Sequence, residues 1–127
     1  MQGRRFDFFA PDHTLALAPN SVVLTIGALE QTGRNFEAFL DYLLRQSPGL
    51  CVHIEPIVEW YDPEQIVDDA AIRFHRARNY LDGFATRLEA LARDGRIQIL
   101  KRKRSLFGSL FMEGYSQLIW RPVAGAA

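Results

Sequence analysis

A chain of 127 residues, 48% hydrophobic and 24% charged, has the length and composition of one globular domain with its own core. Fifteen Lys and Arg balance fifteen Asp and Glu, which excludes a disordered polyelectrolyte and any global charge that would hold nucleic acid. The one cysteine, Cys51, excludes an intrachain disulfide framework and a multi-cysteine zinc site. No uninterrupted apolar stretch approaches the roughly 18 to 20 residues that span a bilayer. Asp7, Asp12 and His13 interrupt what would be a signal-peptide core after Arg4 and Arg5, so the expected location is cytoplasmic.

In chain order, Phe6-Asp7-Phe8-Phe9 reads as a short apolar strand ended by Pro11, Asp12 and His13. Ser21 to Ile26 is β-branched and almost continuously apolar, which suits a strand covered on both faces. Gly27 then permits a sharp turn. Phe36, Phe39, Leu40, Leu43 and Leu44 keep the spacing of an amphipathic helix, capped by Thr32 or Asn35 and stopped by Ser47-Pro48-Gly49. Leu50 to Ile54 is a second buried strand, ended at Pro56.

Asp62-Pro63-Glu64-Gln65 has the signature of a helix start. Val67, Ala71, Phe74, Ala77, Leu81, Phe84, Leu88 and Leu91 then predict one long helix, with a candidate kink at Asp82-Gly83 and a stop at Gly95. Arg96 to Lys103 and Gly114 to Arg121 read as strands, joined through Gly108 and Gly114. In the last one, Tyr115, Gln117, Ile119 and Arg121 alternate against Ser116, Leu118 and Trp120. The tail at 123–127 is expected to fray. Two strand–helix–strand units argue for parallel strands, and the last two strands for an antiparallel edge.

The charge is unevenly placed. Residues 1–72 carry four Arg against eleven acids, and residues 73–104 carry ten Lys or Arg against three acids. Either the two parts neutralise each other side by side, or a basic face meets an anionic partner. The run Lys101 to Arg104 has the composition of a nucleic-acid patch, but it continues a strand, contains no aromatic residue and reads as a solvated strand end and loop.

Ligands of open α/β sheets bind at the carboxyl ends of the strands. That rule selects Asp7 and Phe8, Gly27 to Gln31, and His53 to Glu55. Glu30, Glu55 and His53 together can orient a substrate amine or hydroxyl and take its proton. Each also has a plain structural reading, as helix-end charge or satisfied core histidine. Gln31, Trp60 and Tyr61 are candidate walls of a substrate pocket. His75 and Arg78, three apart on the long helix, can hold an anionic group or simply form its solvated face. Tyr115 and Glu113 are weaker substrate candidates, and no spacing supports a metal site. Cys51, in an apolar strand, reads as an inert thiol.

The succession Phe6-Asp7-Phe8-Phe9, Val22 to Gln31, and Val52-His53-Ile54-Glu55-Pro56 resembles the second half of a class I S-adenosylmethionine-dependent methyltransferase. The ending agrees: a helix, Ile97-Gln98-Ile99, a glycine-containing connection, then Tyr115 to Trp120. The resemblance covers roughly residues 6–122. It implies an α/β fold, a partial Rossmann-like three-layer sandwich whose mostly parallel sheet ends in an antiparallel hairpin, as a single domain over 1–127. It implies that Asp7 meets the adenine amino group of S-adenosylmethionine, with Phe8 beside the ring and Thr25, Gly27 and Leu29 along the methionine arm. The family's Gly-rich loop has no counterpart here. The implied activity is methyl transfer to a small molecule, with cofactor binding expected only beside the missing N-terminal half. The other expectation is a non-catalytic domain that forms a homo-oligomer or pairs with that half.

Overall fold

The computed structural model describes residues 1–106, 108 and 113–125. Its elements are β1 (Val22–Ile26), α1 (Glu37–Gln46), β2 (Leu50–Glu55), α2 (Ile66–Ala77), α3 (Phe84–Arg93), β3 (Ile97–Lys103) and β4 (Ser116–Pro122), with 3-10 turns at Leu29–Thr32 and Val58–Trp60. The strands form one open sheet in the order β1-β2-β4-β3. β1 and β2 are parallel neighbours, and β4 runs antiparallel to both β2 and β3. Three strands therefore point the same way, yet only one neighbouring pair is parallel, because the last strand enters the middle of the sheet instead of extending its edge.

Alternation sorts the strands into two faces. Thr25, Cys51, His53, Glu55, Ser116, Leu118, Trp120 and Ile97 are buried on one. Phe39, Leu40 and Leu43 of α1 and Phe84, Leu88 and Leu91 of α3 share a core with the apolar members of that face. Burial pushes the Cys51 thiol up to about 12, so it stays protonated. The opposite face carries Val22, Leu24 and Ile26, all exposed, and no helix among the described residues packs on it. The described residues thus supply two layers, and the expected third is not among them.

Four local expectations are corrected. The segment Phe6 to Phe9 is not a strand: the Asp7 carboxylate accepts the Phe9 N–H at 2.9 Å in a tight turn. Phe6 and Phe8 instead pack edge-on against Phe39. The long helix is two, because Asn79 (φ 52°) and Gly83 (φ 92°) adopt left-handed backbone and end the helical path. Asp62 does not cap α2: its carboxylate closes its own turn onto the Glu64 N–H, and the helix begins at Ile66. Likewise α1 starts after Phe36 with no side-chain cap from Thr32 or Asn35. The stops at Ser47 (φ 49°) and Gly95 (φ 74°) are as expected. Of the expected frayed tail, residues 126 and 127 lie outside the described residues.

Candidate functional site at the strand ends

The parallel strands β1 and β2 end together at Ile26 and Glu55. Gly27, at φ 57°, donates its N–H to the Ile54 carbonyl and turns the chain into the Leu29–Thr32 turn. A Cβ there would sit in strained backbone. The Glu55 carboxylate lies beneath this turn. Its Oε1 accepts the N–H groups of Ala28 (3.1 Å) and Leu29 (3.0 Å), and its Oε2 accepts that of Glu30 (3.3 Å). These are the orphan donors at the start of a helical turn, satisfied by an anion from the neighbouring strand.

A buried chain of hydrogen bonds leads to the same carboxylate. Trp120 Nε1–H donates to His53 Nε2 at 3.0 Å. That fixes the proton on Nδ1, which donates to Thr25 Oγ1 at 2.8 Å. The Thr25 hydroxyl beside Glu55 favours its ionised form. His53 is fully buried, and its burial pushes its pKa down to about 3, so it is a neutral imidazole with both nitrogens engaged. Burial raises Glu55 above the ordinary carboxylate range, against the hydrogen bonds that lower it. His53, Thr25 and Glu55 are therefore brought together, as supports of the strand-end loop with no free hydrogen-bonding nitrogen on the imidazole. Leu29 is buried in the core. Glu30 and Gln31 remain at the mouth, where the Gln31 amide donates to the Glu30 carboxylate at 3.3 Å. The Glu30 carbonyl accepts the Leu81 N–H, which ties the turn to the α2–α3 connection.

The other candidates are dispersed. Phe8 and Thr25 line an apolar cleft of about 220 Å³ beside β1, together with Leu17, Val23 and Tyr42. Asp7 is exposed in its turn. His75 is fully buried, with Nε2–H donated to the Leu81 carbonyl and Nδ1 without a partner among the described residues. Its pKa is lowered, chiefly by burial. Arg78 is exposed with its guanidinium over Phe74, so the two do not form one anion site. Tyr115 is exposed.

Trp60 and Tyr61 belong to a cluster that the sequence pattern does not reveal. Arg104, expected on a solvated strand end, forks onto two carboxylates. Its Nη1 and Nη2 reach Asp68 at 2.9 and 2.6 Å, and its Nε and Nη2 reach Glu113 at 2.6 and 2.9 Å. It also donates to the Trp60 carbonyl and stacks over the Tyr61 ring. Tyr61 is bonded through its hydroxyl to the Glu113 backbone. Arg104 lowers the Asp68 pKa, and both carboxylates raise that of Arg104. The acidic and basic parts of the chain meet here, and again at Arg87–Glu37 and Arg73–Asp69, which favours mutual neutralisation over a free basic face. Arg104→Ala is expected to cost about 2 kcal/mol, because it strands two half-buried carboxylates. Arg104→Lys should recover less than half of that, since an ammonium cannot grip two carboxylates bidentately. Urea titration of the three proteins tests the ranking, and equal stability of all three would contradict it.

Among the described residues no group of three His, Cys, Asp or Glu side chains is arranged to hold a metal ion, and no helix is long and apolar enough to cross a membrane. No family model matches the chain, and comparison with curated proteins and with solved structures returns no match.

Proposed function

We propose that the chain is the substrate-side half of a class I S-adenosylmethionine-dependent methyltransferase, acting on a small molecule and completed by a cofactor-holding half from another segment or chain. The observation that carries this reading is the order of elements around the latched strand end. Two parallel strands are joined through a helix, a Gly27 turn stands at their carboxyl ends, and an antiparallel hairpin closes the sheet. This is the ending that the resemblance implies.

The residues present do not fit the cofactor by themselves. No Gly-rich loop is available, the Thr25 hydroxyl is committed, and the Phe8 cleft is smaller than the roughly 300 Å³ at which ligand pockets begin. In the completed protein, Glu30 and Gln31 are the groups offered to an acceptor. His53 and Glu55 position the loop that carries them. The second, Rossmann-like helical layer would come from the completing half.

Calorimetric titration with S-adenosylhomocysteine tests this. The chain alone should give no micromolar binding. A fusion placing the N-terminal half of such a methyltransferase, with its Gly-rich loop, ahead of Met1 should bind. A fusion that folds but takes up no S-adenosylhomocysteine would count against the reading. Full affinity in an Asp7→Ala fusion would remove Asp7 from the adenine site.

A second reading, a non-catalytic interaction domain, is favoured by the apolar face of the sheet that the described helices leave open.

A further inference from the structure

Among the described residues three arginines are partly buried, Arg87, Arg96 and Arg104. Arg87 is held by Glu37, and Arg104 by Asp68 and Glu113. Arg96 has no ion pair and no side-chain hydrogen bond among the described residues, and its Nε–H is buried without an acceptor. A buried charged donor left unmet is costly, and such a group calls for a partner. Its backbone is fixed. The Arg96 N–H donates to the Leu91 carbonyl, and the Arg96 carbonyl accepts the Val123 N–H, both at 3.0 Å.

Arg96 lines a cavity of about 450 Å³, inside the roughly 300–1,000 Å³ range of ligand pockets. The cavity lies where α1 and β4 end. Register sets Trp120 opposite Cys51, at the start of β2, so this is the other end of the sheet from Glu30 and Glu55. Arg45, Arg96, Ser47 and Asp41 are its polar lining, and Leu44, Pro122 and Val123 its apolar lining. Asp41 is engaged with Arg45 at 2.8 Å, an exposed pair one helical turn apart and therefore a weak one. The Ser47 hydroxyl has no partner among the described residues. Two guanidinium charges stand against one carboxylate and about half a charge from the carboxyl end of α1, which leaves the lining cationic.

We propose that this cavity binds the phosphate group of a small organic phosphomonoester. The planar Arg96 guanidinium matches two phosphate oxygens, and the Ser47 hydroxyl donates to a third. A second negative charge on the phosphate draws Arg45 from its weak pair with Asp41. The cavity exceeds the size of the anion, and its apolar lining receives the organic part of the ester. The site does not depend on the strand-end turn or on methyl transfer.

Nuclear magnetic resonance titration of the chain at pH 7 and constant ionic strength reads it, with phenyl phosphate and inorganic phosphate as probes. Phenyl phosphate should shift the Arg96 Nε–H and the Ser47 and Val123 amides saturably at millimolar or lower concentration. Inorganic phosphate should bind at least about threefold more weakly, for want of the apolar contact. Arg96→Met keeps the apolar stem and should weaken phenyl phosphate at least about tenfold. Asp41→Asn removes the competing carboxylate and should tighten it about two- to threefold. Circular dichroism shows whether each variant is folded. Ser47→Ala, at an exposed position, repeats the test with an expected loss of about threefold. Shifts that sodium chloride reproduces at equal ionic strength overturn the proposal. So does full affinity in Arg96→Met or Ser47→Ala, or an Asp41→Asn chain that binds no more tightly. Phenyl phosphate that binds no better than inorganic phosphate overturns the ester and leaves free phosphate as the ligand.

Discussion

Lowering the pH from 6.5 to 4 should cost the fold roughly 3 kcal/mol through His53 alone, and His53→Gln should remove that slope. His53 titrates at about 3 in the folded chain and near 6.5 when exposed. A depressed folded value means that the unfolded state binds the proton first. The contribution is complete above pH 6.5 and is lost progressively as the pH falls toward 3, at about 1.4 kcal/mol per unit. His75 tilts the curve the same way, and Asp68, lowered by Arg104, adds to the loss below about pH 3.8. Glu55 opposes them. Its folded value is raised, so its contribution is full below 4.5 and is lost as the pH rises through the folded value. Glutamine at position 53 can still accept from Trp120 and donate to Thr25, so His53→Gln should cost only about 1–2 kcal/mol at pH 7. Denaturant titrations of both proteins between pH 7 and 4 give the two slopes. An undiminished slope in His53→Gln would place the acid sensitivity elsewhere.

Glu55→Ala is expected to cost about 3–4 kcal/mol, the largest effect of any single charge removal. It leaves the N–H groups of Ala28, Leu29 and Glu30 without their acceptor. Glu55→Gln keeps one carbonyl oxygen and should cost about 1–2 kcal/mol. The signature is local: hydrogen exchange at Ala28, Leu29 and Glu30 should accelerate far more than at Val52 or Leu118. Uniform acceleration would mean that Glu55 supports the whole sheet and not the turn.

The elements with one dominant period were legible in the chain. β4 alternates cleanly, β2 is a short apolar run ended at Pro56, and α1 keeps its apolar spacing to the Ser47 stop. The failures have definite causes. Phe6 to Phe9 has strand composition, but the adjacent Asp7 offers its backbone a competing turn bond. The helical spacing from Val67 to Leu91 runs through Asn79 and Gly83, but α2 turns Asp68, Ala71, Ile72 and His75 inward and leaves Val67 exposed, while α3 buries Phe84, Leu88 and Leu91, so apolar periodicity alone neither separated the two helices nor found the inner face of α2. At the strand end, Glu30, His53 and Glu55 were selected by position. The committed hydrogen bonds of His53 and Glu55 depend on Trp120 and Thr25, partners 67 and 28 residues from His53. Arg104 was hidden in a basic run because its two acceptors lie 36 and 9 residues away.

The central place of β4 governs how such a chain can be made. Synthesis from the ribosome delivers β1, β2 and β3 first, but β3 has no pairing partner in the sheet until Ser116 to Pro122 emerges. Trp120, which completes the hydrogen bonding of His53, arrives with the same strand. Folding of the sheet is therefore held back until β4 has been made, and the nascent helices wait on an unfinished core. Cutting the chain before Ser116 would remove the middle of the sheet, where a cut through an edge strand only trims it. A chain stopped before Ser116 should be a species that quality-control proteases clear, as readily as one that lacks half its sheet.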